Sequence, residues 1–335
     1  MRSWHNIETF HQQETPIAAA LDFIYVTDKE PHAARGRQIL AAHPDIRALA
    51  GPTPQSAVWT VLLVAAQLAL TWAVSGRSWL VWLPCAYVLG ATLDHALWVL
   101  IHECSHNLVF RSRAANRATA LVANIPLVFP AAMSFCKYHL LHHRHMGELA
   151  LDADIAGPGE ARLVGNSTLR KTLWVSALGI VQGTVRPMRL KAVRLVDGWT
   201  VVNAASQALA LALLVAWLGL APLKYLTASA VIAVGLHPFG ARWIQEHYVF
   251  SEGQETYSYY GALNRLCFNV GYHNEHHDVI TVPWSKLPTV RRLAPEFYDG
   301  LYAHRSWTRL LARFIVDRQV SLFNRVIRNG VSERS

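Results

Sequence analysis

Four stretches of the 335-residue chain run almost without charge, at about 57–75, 79–101, 200–220 and 223–240. Each approaches the ~20 residues that an α-helix needs to cross the hydrocarbon of a bilayer, so the pattern predicts four spanning helices. Two further apolar runs, 118–136 and 173–185, lie between polar segments; the first carries Pro126 and Pro130, and both carry several small residues. They are expected as interfacial or re-entrant helices rather than as a further pair of spans. The final stretch "SWTRLLARFIVDRQVSLFNRVIR" alternates basic and apolar positions as an amphipathic helix does, suited to anionic headgroups, to a protein partner or to plain solvent.

Composition agrees. Hydrophobic residues make up 52% and charged residues 16%, against roughly 25% charged in soluble domains. The 12 tryptophans suit a membrane–water interface. A net charge of +9 raises the question of nucleic acid, but the charges sort by segment: 29 of the 31 Lys and Arg lie before 57, within 102–199 or after 240, and only Arg77 and Lys224 fall in the two short connections. That is the positive-inside distribution, which places the N-terminus, the central segment and the C-terminus in the cytoplasm and leaves no nucleic-acid role to explain. The organisation expected is an N-terminal cytoplasmic segment, 1–56, and a membrane domain, 57–335. The first 50 residues show no apolar signal stretch, and Arg2 leaves no myristoylation acceptor. The four cysteines are scattered, as reduced thiols are.

Eight of the 17 histidines fall in three clusters: His102 and His106 in "HECSH", His139, His142 and His143 in "HLLHH", and His273, His276 and His277 in "HNEHH". Positions i, i+3 and i+4 share one stripe of a helix, so each cluster, if helical, aims its imidazoles at one point. The charge distribution puts all three at the cytoplasmic end of the spans, where they can meet. "HECSH" alone matches the H-E-x-x-H pattern of zinc proteases, with Glu103 as the base. Eight imidazoles are too many for one catalytic zinc, which takes three protein ligands. They suit two six-coordinate metals, and imidazole with open positions serves iron and dioxygen chemistry. Glu103 is then expected beside the ligands or the substrate.

At these residues the chain resembles the membrane fatty-acid desaturase and hydroxylase superfamily, with its H-x3-4-H, H-x2-3-HH and H-x2-3-HH boxes. "GQETYSYYGALNRLCFNVGYHNEHHD" (253–278), "HECSHNLVF" and "LHPFGARWIQEHYVF" (236–250) are similar to the sphingolipid Δ4-desaturases, as is the stretch 22–54 ahead of the first span. The resemblance covers about 22–328. It implies an all-α integral membrane enzyme with a cytoplasmic histidine-rich cap holding two iron ions. The implied reaction forms a trans double bond between carbons 4 and 5 of the sphinganine backbone of dihydroceramide, using dioxygen and two electrons. With no fused haem motif, the electrons are expected from a separate donor such as cytochrome b5 or ferredoxin. The membrane is implied to be the inner membrane in a bacterium and the endoplasmic reticulum in a eukaryote. Carbon-4 hydroxylation, desaturation of an acyl lipid, a zinc protease and a non-catalytic lipid-binding or transport protein are the alternatives. Arg242 stands where animal relatives are expected to carry histidine, so that position is not expected to ligate.

The superfamily usually supplies a ninth ligand, and His247, just past the fourth span, is the expected one. His237 lies deeper and before Pro238, and is expected to be structural rather than a ligand. Asp94 and His95, ionisable residues inside a span, are candidates to contact the ligands or the substrate. Glu103, Asn107, Asp152, Asp154, Glu246, Asn274, Glu275 and Asp278 neighbour the boxes and could accept the second N–H of a ligating imidazole or simply be solvated. His145 turns off the shared stripe, and His5, His11, His32, His43 and His304 are expected at the surface.

Overall fold

The computed structural model describes residues 22–328, apart from 192 and 195. His5 and His11 lie outside the described residues. Strand β1 (Ile24–Val26) opens the path and helix α1 (His32–Ala42) follows. The first apolar stretch is α2 (Gln55–Val74), and the second is α3, one continuous helical run from Trp79 to Ser105. A π-helical turn at Ala86–Gly90 interrupts the regular pitch of α3. Next come α4 (Arg113–Asn124) and α5 (Ala132–Arg144), which bend by 118° at the Pro126–Pro130 break. The run 118–136 thus forms a helix pair broken at its prolines, the form of either a broken span or a re-entrant loop. The other run is short helical pieces, α6 (Thr168–Ser176) continuing irregularly to Val185.

Helix α7 (Gly198–Leu218) is capped by Asp197, whose carboxylate accepts from the Trp199 and Thr200 N–H groups. Only 11% of its apolar window is buried, so Leu209, Leu213 and Trp217 face outward, as lipid-facing residues do; α3, at 56%, is the central helix. Among the described residues three helices, α2, α3 and α7, are long and apolar enough to span a bilayer, or four if the α4–α5 pair counts as one. The fourth expected span is shorter than its sequence suggests. Helix α8 (Ala221–Val234) has 14 residues, about 21 Å against ~30 Å of hydrocarbon. Gly235 and Pro238 end it. The chain continues as irregular backbone with Phe239, Gly240 and Ala241 buried in protein, the condition under which such backbone is tolerated at depth.

Helix α9 (His273–Asp278) carries the third box, and α10 (Trp307–Val316) lies near the end of the chain. The amphipathic helix expected over 306–328 stops at Val316. Its apolar residues Trp307, Leu310 and Phe314 are buried in the protein core rather than offered to headgroups, and Val326–Arg328 form β2, paired in parallel with β1 (Ile24 beside Val326). A second core joins the N-terminal segment to the far side of the third box through Ile39, Ile46, Val279, Val282 and Val290.

Candidate metal centre

Three helices deliver the boxes. His102 lies in the last turn of α3 and His106 caps its end, where Asn107 turns the chain through a left-handed conformation (φ 58°) that asparagine tolerates. His139, His142 and His143 stand on one stripe of α5, and His273, His276 and His277 on α9. His247 follows a short helical turn at Arg242–Gln245.

The imidazoles meet in two groups. His102, His106, His139, His143 and His276 form the first, with one nitrogen of each within 4.8 Å of all the others; His142, His247 and His277 form the second on the same criterion. His273 joins the second through an Nε2–Nε2 distance of 3.0 Å to His247. The rings of His143 and His277 stack at 4.1 Å, so the groups adjoin.

The nitrogen spacing bears on what these groups can hold. In the first group His106 and His139 Nε2 are 2.8 Å apart, His139 and His143 3.0 Å, and His143 and His276 3.2 Å. Nitrogens bound at right angles to a metal about 2.1 Å away stand about 3.0 Å apart. Burial holds His106 down to about 3, with a further push from His142, and burial likewise lowers His139, His143, His276, His277, His247 and His273 well below the ordinary histidine range. The rings are therefore neutral with lone pairs available, the state in which imidazole ligates. His277 Nε2 is buried without a hydrogen-bond partner. The donor set fits metal ions.

Outer partners are fewer than the sequence suggests. Asp152 accepts from His142 Nδ1 at 3.0 Å, and also from the Gly147 and Asp154 N–H groups. Burial opposes charge on His142, yet the Asp152 carboxylate overrides it and raises the imidazole. Glu246 lies 3.6 Å from His273 Nδ1, beyond hydrogen-bond reach, because Arg242 pairs with the same oxygen at 3.0 Å. Burial pushes Glu246 up to about 7, and Glu275 also to about 7. Glu103 is 3.6 Å from His102 Nδ1, and its other oxygen accepts the Trp284 N–H. Glu275 accepts from Ser258 and Tyr260, Asn274 from Arg35, and Asp154 from Arg325. None of these four bonds reaches a box ring.

Asp94 sits deeper, accepting from Gln67 and Ser229 in a polar cluster within the spans, and His95 stacks on Phe239 at 4.8 Å. His237 holds the Phe239 N–H and packs edge-on against Tyr87, away from the boxes. His145 pairs with Glu148, and His43, partly exposed, with Glu296. His32 and His304 depart from expectation: both are buried, His32 against Asp278 and Thr256, His304 among Phe250, Tyr257 and Tyr302.

A cavity of about 410 Å³ adjoins the centre, with His102, His139, His142 and His273 in its wall. Apolar residues (Trp98, Phe129, Phe135, Ile180, Val231, Val234) dominate the rest, interrupted by polar ones that include the candidate carboxylates Asp154 and Glu246 and also Tyr138, Gln182 and Arg242. The sequence reading named Asp154, Arg242 and Glu246 but missed the apolar lining, which comes from six separate segments. It also missed Thr256, Ser258 and Tyr260, although an alternation in "TYSYY" could have disclosed them. These three bond toward α1 or α9, while Tyr257 and Tyr259 are buried between them, the period-2 pattern of extended chain.

The fatty acid desaturase family model matches residues 77–309, and the sphingolipid Delta4-desaturase model matches residues 19–55. Sphingolipid delta(4)-desaturase DES1 of Drosophila melanogaster is 42% identical over 316 residues, covering 92% of this chain and 95% of its own. The DES1-like relative of Oryza sativa subsp. japonica is 40% identical, covering 94% and 95%. Sphingolipid delta(4)-desaturase/C4-monooxygenase DES2 of Bos taurus is 42% identical, covering 93% and 96%. With these boxes, this helical membrane architecture and likeness over nearly the whole length, the chain belongs to the fatty acid desaturase family and, within it, to the sphingolipid Delta4-desaturases.

Proposed function

We propose that this chain desaturates the sphingoid backbone of dihydroceramide between carbons 4 and 5, with two iron ions held by nine histidines. His102, His106, His139, His143 and His276 would hold one ion, and His142, His247, His273 and His277 the other. The observation that carries the proposal is that two histidines from each group, His102 and His139 from the first and His142 and His273 from the second, stand in the wall of one largely apolar cavity. Bound iron supplies what no side-chain acid or base can, the oxidising power to break an unactivated C–H bond. The balance is one dioxygen, two electrons and two protons consumed, two hydrogens taken from the lipid, and two waters released. A separate electron-transfer protein, a cytochrome b5 or a ferredoxin, would supply the electrons.

The chain's own part is to bind and exclude. The buried imidazoles would present their lone pairs to the metal, and Asp152, accepting at His142 Nδ1, would leave Nε2 of that ring to ligate. The apolar wall takes the hydrocarbon chain and keeps water from the reacting carbons. The few polar side chains on the wall face a headgroup that carries hydroxyls and an amide. The charge distribution supports a cytoplasmic histidine face and cytoplasmic termini.

Carbon-4 hydroxylation is a second reading, because the Bos taurus relative carries both activities in its name. Proteolysis is disfavoured by Glu103, whose buried carboxylate is engaged with the Trp284 backbone. Membranes containing the chain and an electron donor, given dihydroceramide deuterated at carbons 4 and 5, distinguish the outcomes. Desaturation removes deuterium from both carbons; hydroxylation removes it from carbon 4 alone and adds one oxygen. Unchanged lipid in the presence of a working donor would contradict the assignment.

A further inference from the structure

His32, expected at the surface, lies on α1, and α1 reaches the third histidine box. Helix α9 carries three box histidines in six residues, far fewer than the ~12–15 at which an isolated helix becomes even marginally stable. Its rigidity must come from its surroundings, and α1 supplies much of it. His32 Nδ1 donates to Asp278 Oδ1 at 2.7 Å while its Nε2 is hydrogen-bonded to the Thr256 hydroxyl at 2.9 Å. Arg35 Nε donates to Asp278 Oδ2 at 2.8 Å, and its Nη2 donates to Asn274 Oδ1 at 2.9 Å. The two residues thus grip both ends of the short helix. The His32 ring lies 4.7 Å from that of His277. A Cβ on Gly36 would land on the carbonyl oxygen of Asp278, so α1 and α9 touch backbone to backbone.

Asp278 is fully buried at its carboxylate and is met by one imidazole and one guanidinium, both from α1. Ser258 and Tyr260 hold the same short helix separately, at Glu275. The α1 contacts come from within residues 19–55, the portion matching the sphingolipid Delta4-desaturase model.

We propose that α1 is a strut for the metal centre, and that His32 and Arg35 are positioning residues that set the third box against the other two. This rests on the metal-binding role proposed above for the histidines. A consequence separates the two groups. The first takes only His276 from α9 and keeps four ligands of other origin; the second takes His273 and His277, half of its four. Loosening α9 therefore weakens the second site first.

The test uses the full-length chain in detergent, loaded anaerobically with ferrous iron. Iron per chain and the rate of transfer to a ferrous chelator are read beside the unfolding temperature, for wild type, His32→Phe, Arg35→Met and Arg35→Lys. Ile39→Ala serves as the comparison, since it removes apolar packing from the same helix without touching these bonds. The strut predicts that His32→Phe and Arg35→Met release one of two irons about 10-fold faster, the lower end of the effect of removing a direct partner of a ligating histidine, since they act through α9 rather than on a ligating ring. It also predicts that Arg35→Lys recovers part of the retention and that Ile39→Ala, at an equal loss of unfolding temperature, keeps both irons. Wild-type release rates in folded His32→Phe and Arg35→Met would overturn the inference, as would losses that merely track the unfolding temperature across all variants. Should His32→Phe fail to fold, Arg35→Met against Arg35→Lys decides alone. A wild-type chain that holds no iron would overturn the metal role and the strut with it.

Discussion

Replacing Asp152 by Asn should weaken one iron site and spare the other. The buried Asp152 carboxylate accepts from His142 Nδ1 (3.0 Å) and the Asp154 N–H (2.8 Å) at one oxygen, and from the Gly147 N–H (3.0 Å) at the other. An amide has only one acceptor oxygen. Placed toward His142 and Asp154, it keeps two bonds but opposes an NH2 to the Gly147 N–H, leaving a buried donor unsatisfied at about 1–3 kcal/mol. The bond to His142 survives without its charge, and charge-assisted bonds are roughly twice as strong as neutral ones. Outer partners of ligating histidines are typically worth about 10- to 100-fold in affinity, equal to about 1.4–2.7 kcal/mol. The second site should therefore weaken by that factor, while the first site, which shares α5 through His139 and His143 but not Asp152, holds its iron. Anaerobic ferrous titration of the purified chain, followed by iron analysis, gives two affinities. Equal weakening of both sites, or no change at either, would refute the assignment of His142 to a separate second site.

Glu103→Gln should keep lipid oxidation within a few-fold of wild type, because an amide can still accept the Trp284 N–H; a loss of several orders of magnitude in a turnover assay would restore Glu103 as a catalytic base. Gly183 borders the cavity, and a Cβ there meets nothing within 4 Å. Gly183→Leu should shift preference toward shorter lipid chains, by about 0.8 kcal/mol or roughly fourfold for each methylene excluded. Competition between chain lengths measures this, and an unchanged ratio would remove Gly183 from the substrate path. Burial, with repulsion from Arg313, pushes His304 down to about 3. The unfolded chain takes up a proton below about 6.5 that the folded chain refuses, so this group costs about 2 kcal/mol of stability at pH 5. The unfolding temperature of His304→Leu should therefore fall less than that of wild type between pH 7 and 5; parallel curves would contradict it.

The parts legible in sequence were those written with a local period. Three spans follow from uninterrupted apolar length, and the three boxes from i, i+3 and i+4 spacing, which holds on α5 and α9 as it does on any helix. The end of α8 was misjudged because hydropathy does not register that Gly235 and Pro238 turn an apolar stretch into irregular backbone. The amphipathic pattern after Ser306 was real, but pattern alone does not say whether the apolar face meets lipid or protein; here Trp307 and Phe314 meet the core. His32 was placed at the surface because its partner Asp278 is 246 residues away, a pairing with no local signature. Among the carboxylates near the boxes, only Asp152 lies within hydrogen-bond distance of a box ring, and sequence distance did not distinguish it from Asp154 or Glu275.

The most direct measurement is the metal content of the full-length chain after anaerobic loading with ferrous iron, set beside a His142→Ala/His277→Ala double variant that removes two of the four ligands of the second site. The nine-histidine arrangement predicts two irons per wild-type chain and one in the variant. A single metal in wild type, or a variant that keeps both irons, would contradict it.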